Sequence, residues 1–296
     1  MLVPYIKLAL APILWGGSLV AGRIVSAQLP AITITWVRFL MVSIFLLPAL
    51  RIFQGKLPRP GKRDLLFLFA MTVAGVVVFN VLLFTGLQTV TAVRSSVLIA
   101  LSPSAVALIL VIFFREPAGK NTVTGITVAF VGAIITITDG NPAAALAGGI
   151  SVGDLYLLGC VVAWAVYTIL ARYAMKNLTA LTVLTYSSVI GTVLLTPFAF
   201  RPGVIAELTS QSAGTWAGLL YLSIGAAGIA YLFYYQGIRD VGANGAAIFL
   251  NLEPVSAILL GVLLLGETLT TPVLIGAILV IAGLYLVNKP TRTTSA

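Results

Sequence analysis

Two charged residues stand inside apolar runs of this sequence, Arg38 in ITITWVRFLMV and Glu253 in FLNLEPVSAILL. If both runs are helical, Arg38 lies about 10 Å and Glu253 about 15 Å into them, at ~1.5 Å of rise per residue. A lone ion in the middle of a bilayer costs about 3 kcal/mol on insertion scales, so each needs a partner or water. Elsewhere aromatic, amide and hydroxyl side chains interrupt the aliphatic pattern. Trp164 and Tyr167 are three apart, and Tyr231, Tyr234 and Tyr235 follow i, i+3, i+4. Asn80 and Phe84, then Ser95, Ile99 and Ser102, then Asn244, Phe249 and Asn251 fall at comparable places in other runs. On helices such sets share faces. Together they make a mostly apolar pocket with a few hydrogen-bonding groups. Small zwitterions with apolar side chains suit such a lining, because their charged ends need hydrogen bonds and their tails need an apolar wall. For any one aromatic, lipid contact or a place in the interfacial belt is the competing reading.

The elements that must position these residues occur twice. ALSPSAVALILVIFFRE, residues 100–116, returns 151 residues later as NLEPVSAILLGVLLLGE, residues 251–267. In that register Pro103 falls on Pro254, Glu116 on Glu267, Gly125 on Gly276, Gly132 on Gly283, Asn80 on Tyr231 and Phe84 on Tyr235. An offset of 149 places Trp15 on Trp164 and Arg23 on Arg172. Self-similarity at a fixed period reports duplicated architecture. Pro103 and Pro254 read as standing mid-helix, where each removes a backbone hydrogen bond and clashes with the preceding turn. A hinge and a fixed kink are both open there. The glycine pairs, seven apart, let helices approach closely. Glu116 and Glu267 read as caps on the helices that follow them, at the positive end of the helix dipole.

Of the 296 residues, 60% are hydrophobic and 8% charged, more apolar surface than one water-soluble core can hide. The sequence therefore reads as an all-α integral membrane protein, since lipid cannot satisfy the edges of an open sheet. Ten apolar runs are expected, near 5–27, 31–52, 65–87, 91–114, 122–138, 155–175, 180–200, 215–238, 243–265 and 270–287. The first ends in VSA, like a signal-peptidase site, but it exceeds a typical signal core and aligns with the interior of the chain, so it reads as a membrane helix. The units are a five-helix repeat at 1–139, a linker at 140–152 and a second repeat at 153–289.

Lys and Arg are split 13 to 3 between the loops of the two faces, with Arg23, Arg94 and Arg201 on the poorer one and Arg38 inside a run. That asymmetry puts both ends of the chain in the cytoplasm. Five is odd, so the second repeat enters from the opposite face and the repeats are inverted, an architecture shared by many secondary transporters. The net charge of +9 is spread singly over short loops, and no nucleic-acid partner is expected. One cysteine and no histidine disfavour disulfides, metals, haem and acid/base catalysis, so neither a cofactor nor an enzyme is expected. There is no GxxxxGK[ST] sequence for ATP.

The strings LWGGSLVAGR, WVRF at 36–39 and LEPVSAILLGVLLLGE resemble the EamA-type family of the drug/metabolite transporter superfamily, over essentially the whole chain and in both repeats. Among its members the sequence is most similar to the amino-acid exporters of the YddG type. The resemblance implies ten helices around a central cavity, lined mainly by helices 1, 3, 4, 6, 8 and 9, with 5 and 10 as support. Arg38 and Glu253 look like general features of the family, which favours a structural role for both over substrate recognition. The expected function is a bacterial inner-membrane carrier that exports neutral aliphatic or aromatic amino acids, or similar metabolites, by alternating access. It is expected to work as a monomer in the bilayer. The runner-up is an exporter of organic cations, for which Glu253 is the one acidic group available.

Overall fold

The computed structural model describes residues 2–55, 57–141, 143 and 150–288. Most of the linker expected at 140–152 lies outside those residues, as do Lys56, Lys289 and Arg292. Ten crossings follow one another: α1 Val3–Ser26, α2 Ala31–Gln54, α3 Lys62–Gly86, α4 Ala92–Phe114, α5 Lys120–Ile137, α6 Val152–Ala174, α7 Ala180–Ala199, α8 Ala213–Val241, α9 in two pieces, Ala243–Phe249 and Leu252–Leu265, and α10 Thr271–Asn288. A short helix, Val204–Thr209, lies in the α7–α8 connection. Several starts are written locally. Thr91, Thr179 and Ser212 each accept a hydrogen bond from the N–H three residues on, and Ser151 with Asp154 forms a full capping box. Side chains such as Phe113 and Leu263, 76% and 75% exposed, cover the outside with the apolar surface that lipid demands.

Packing follows the duplication. The α1 helix lies against α8 and α9, while α6 lies against α3 and α4; α2 pairs with α7, α5 with α10, and α4 with α9. Exchanging helices 1–5 for 6–10 maps this set of pairs onto itself. We term the end where α1 starts the near face and the end where it finishes the far face. Among the described residues the contacts between loop or terminal side chains obey ten alternating crossings: Lys7 meets Gln236 on the near face, and Arg94 meets Asp154 on the far one. The closest seam is α5 on α10. A Cβ at Gly125 would lie 2.7 Å from the Gly283 carbonyl, and one at Gly276 would lie 2.6 Å from that of Gly132. The four glycines thus do the packing their spacing implies.

The helices depart from regularity in pairs. Thr72–Val78 of α3 and Tyr221–Ile229 of α8 are wound as π-helix, and at the repeat offset Thr72 falls on Ser223 and Val78 on Ile229. The continuous helices expected there are corrected accordingly. α4 is broken by a turn at Ala100–Leu101, and α9 one residue earlier in its repeat, at Leu250–Asn251. The mid-helix placement of the prolines is also corrected: Pro103 and Pro254 sit in the first turn of the helices that restart after these breaks. Proline lacks the N–H that would reach back four residues, so the chain turns just before it. The carbonyl of Ile99 accepts from the Ser102 hydroxyl at 2.6 Å, and that of Leu250 accepts from the Glu253 N–H at 3.1 Å.

Gly125→Val would force the α5–α10 seam open, at an overpacking cost of about 1–3 kcal/mol. Cys160, buried and the only cysteine, reports unfolding through its reactivity to a maleimide dye on heating. The midpoint should fall for Gly125→Val and stay unchanged for Gly214→Ala, whose Cβ meets nothing closer than 3.6 Å.

Candidate functional site

Arg38 projects from α2 into the bundle, 9% exposed. Its Nη1 donates to Asn80 Oδ1 at 2.8 Å, and its guanidinium carbon lies 5.6 Å and 5.9 Å from the ring centres of Phe39 and Phe84. Nε is buried without a partner. Among the described residues no carboxylate pairs with Arg38. Asn80 can hold it firmly because its own amide is fixed: Nδ2 donates to the carbonyls of Gly75 and Val76, both at 3.0 Å. Those carbonyls belong to the π-wound segment of α3. One buried amide therefore satisfies the irregular backbone and anchors the cation together, the closure that a low-dielectric interior requires.

Aromatic rings surround this group. Trp15 on α1 meets Tyr231 and Tyr234 of α8 edge-on at 5.0 Å and 5.2 Å, and its indole N–H donates to Ala226 O, in the π-wound segment of α8, at 2.9 Å. Tyr235 lies 5.9 Å from Tyr231. On the other side Trp164 stands 5.1 Å from both Tyr167 and Phe79. Tyr167 lies so close over Gly75 that a Cβ there would come within 2.2 Å of its ring. Glu253, at the restart of α9, is within electrostatic reach of Tyr231 and Tyr234, and Tyr231 is within reach of Arg38 as well. The Glu253 carboxylate has no hydrogen bond or ion pair among the described residues; its carbonyl accepts from Ser256.

Of the residues expected in one pocket, Asn80 and Phe84 meet Arg38, Tyr231 meets Trp15 and Tyr235, and Trp164 meets Tyr167; this cluster, with Glu253 within electrostatic reach of Tyr231, forms the candidate chamber. Phe84 is fully buried in the wall. Ser95 and Ser102 are buried in α4, Ser95 Oγ without a partner, while Ile99 packs half-buried against the main core. Asn251 goes elsewhere. The break in α9 turns it toward α10, where it lines an outward groove of about 660 Å³ with Ile248, Ile278 and Tyr285. The side chain of Asn244 lies outside the described residues.

The two glutamates behave differently from expectation and from each other. Glu267 does not cap α10; its two oxygens accept from the N–H groups of Ala92 and Val93, both at 2.8 Å, at the start of α4 in the other repeat. Gly266, at φ 63°, reverses the chain so that the carboxylate reaches across the far face. Gly261 leaves room for it, since a Cβ there would stand 3.1 Å from Glu267 Oε2. Glu116 follows an equivalent reversal at Arg115, φ 53°, yet does not cap α5; it pairs with Arg172 at 3.3 Å in an exposed position. The far face is tied further by Arg94, which grips the buried Asp154 through Nε at 2.9 Å and Nη2 at 2.6 Å and also donates to Ile137 O. Nothing local in the sequence marks this pair, 60 residues apart.

The EamA-like transporter family matches this chain twice, over residues 3–138 and 151–289. The uncharacterized transporter YetK of Bacillus subtilis is 27% identical over 95% of this chain and 86% of its own. An uncharacterized transporter of Archaeoglobus fulgidus is 30% identical over 96% and 98%. A probable terminal-alkyne amino-acid exporter of Streptantibioticus cattleyicolor is 27% identical over 79% and 76%. A solved crystal structure superimposes with a TM-score of 0.63 over 96% of this chain and 95% of that one, at 19% identity, and so shares the fold.

Asn80→Leu should lower stability by about 3 kcal/mol, because it strips a charged group and two π-segment carbonyls of their partner in a buried site. Thermal unfolding in detergent checks this, and an unchanged midpoint would show that the amide anchors neither group.

Proposed function

The chain belongs to the EamA-like transporter family, a ten-helix membrane fold, and from that premise we propose that it is a secondary carrier exporting neutral aliphatic or aromatic amino acids, or similar small metabolites, by alternating access. The observation that carries this reading is the unequal state of the two glutamates. Sequence and backbone are repeated around Glu116 and Glu267, yet one carboxylate locks the start of α4 in the other repeat while the other pairs with Arg172 at the end of α6. A duplicated protein with its two ends held differently has a second arrangement of comparable energy available, in which the ends exchange roles. Export then consists of Glu267 releasing α4 as Glu116 takes the N–H groups of α9, with the restarts at Pro103 and Pro254 as hinges.

The aromatic chamber and the relative whose name cites amino-acid export support the substrate class. Helices 1–5 and 6–10 act as the exchanging units, residues 1–139 and 153–289 joined by 140–152. Counting Lys and Arg by loop supports a cytoplasmic near face; in a bacterial inner membrane, the location we propose, the far face is then the outer gate. A monomer contains both gates and suffices. A carrier of organic cations is the second reading, favoured by Glu253 alone.

Counterflow of radiolabelled amino acids in proteoliposomes tests the proposal: leucine and phenylalanine should exchange, and quaternary ammonium compounds should not. Trp164→Ala should change the preference between leucine and phenylalanine several-fold. Glu267→Ala should slow exchange at least tenfold without unfolding the protein. Exchange of cations alone would reverse the ranking.

A further inference from the structure

Arg38 and Glu253, of opposite charge, both act electrostatically on Tyr231 and are paired neither with each other nor with anything else charged among the described residues. An ion buried for structural reasons is paired as a rule, because leaving it alone in a low-dielectric interior costs several kcal/mol. Here Arg38 is held by a neutral amide, which keeps its position and leaves its charge unspent. Asn80 occupies Nη1, while Nε has no acceptor. The Phe39 and Phe84 rings lie beside the guanidinium. Glu253 stands on the second piece of α9, its carbonyl 2.5 Å from where a Gly16 Cβ would lie, next to Trp15, whose ring meets Tyr231 and Tyr234. Tyr231 is within electrostatic reach of both charges.

Resting on the amino-acid reading above, and against the structural role that the sequence favoured, we infer that Arg38 and Glu253 are the two poles of the binding site, one taking the carboxylate and the other the ammonium group of a single zwitterion. A carboxylate suits a guanidinium edge bidentately. An ammonium suits a carboxylate flanked by aromatic faces. A ligand bearing both charges neutralises both poles together, whereas one bearing a single charge leaves the other pole uncompensated. Nε is sealed in this conformation, so the carboxylate reaches it only as the helices around it shift. Binding is thereby coupled to the conformational step. The poles are on α2 and α9, one from each repeat, so a zwitterion spans the boundary along which the halves move.

The test compares three probes on the purified full chain by competition against radiolabelled leucine: leucine, 3-methylbutylamine, which lacks the carboxylate, and 4-methylpentanoate, which lacks the amine. The wild type should prefer leucine at least tenfold over both. Arg38→Gln should erase the preference over the amine, and Glu253→Gln the preference over the acid. Asn80→Asp hands Arg38 an internal carboxylate; it should weaken leucine binding at least tenfold in protein that stays folded by circular dichroism, which separates loss of the pole from loss of the fold. Retained discrimination in both Gln variants, or tight leucine binding by Asn80→Asp, overturns the inference. If the wild type ignores leucine, direct binding of taurine and glycine betaine decides. Zwitterion binding lost in both Gln variants upholds the two poles and removes the amino-acid reading; binding of no zwitterion overturns both.

Discussion

In hydrocarbon every backbone N–H and C=O must find its partner within the protein, and this constraint governs where the chain can depart from a plain helix. It departs at four places: two π-wound segments and two breaks, in repeat-equivalent pairs. Each departure recruits side chains or backbone groups to close the ledger. Asn80 serves α3, the Trp15 indole serves α8, and the Ser102 hydroxyl serves the break in α4. Asn80 and Trp15 also belong to the cluster around Arg38 and Tyr231. The irregular backbone and the site are therefore one construction, since the groups that satisfy the former define the latter.

The electrostatic arrangement follows the same logic. Charges that hold the architecture are paired at the ends of helices, as with Arg94 on Asp154 and Glu267 on the start of α4. Inside the chamber the two ions are anchored by neutral groups or left open. Ions at the rim are paired, whereas Arg38 and Glu253 at the centre have no charged partner among the described residues. The rim is unequal: the far face has the bidentate Arg94–Asp154 pair and the room that Gly261 gives Glu267, while the repeat-equivalent positions of Arg94 and Gly261 carry Gly245 and Leu110. In the proposed cycle this inequality favours the state seen here.

Much of this was legible beforehand because it depends on local period. Hydropathy marked the ten crossings, the 151-residue offset marked the duplication, and the i, i+3, i+4 tyrosines of α8 and the Trp164–Tyr167 pair announced a shared face. The glycines of α5 and α10 announced their seam. Features set by tertiary closure were not legible. VAGVVV in α3 has no mark of π-winding, because the extra residue per turn is accommodated by Asn80 and by packing from α6. Glu267 was assigned to the nearest helix in sequence, whereas the left-handed residue before it aims the carboxylate at the other repeat. Asn251 was placed in the chamber by counting along an unbroken helix; the break rotates it toward α10.

The central claim is that the two faces open in turn. In a Cys160→Ala background, spin labels at Lys120 and Asp240 report the near face, and labels at Gln88 and Thr268 report the far face, by pulsed dipolar distance measurement in lipid nanodiscs. Adding a transported amino acid should draw the near pair together in the same fraction of molecules in which the far pair separates. Two distances that lengthen or shorten together, or that ignore substrate, would contradict the account.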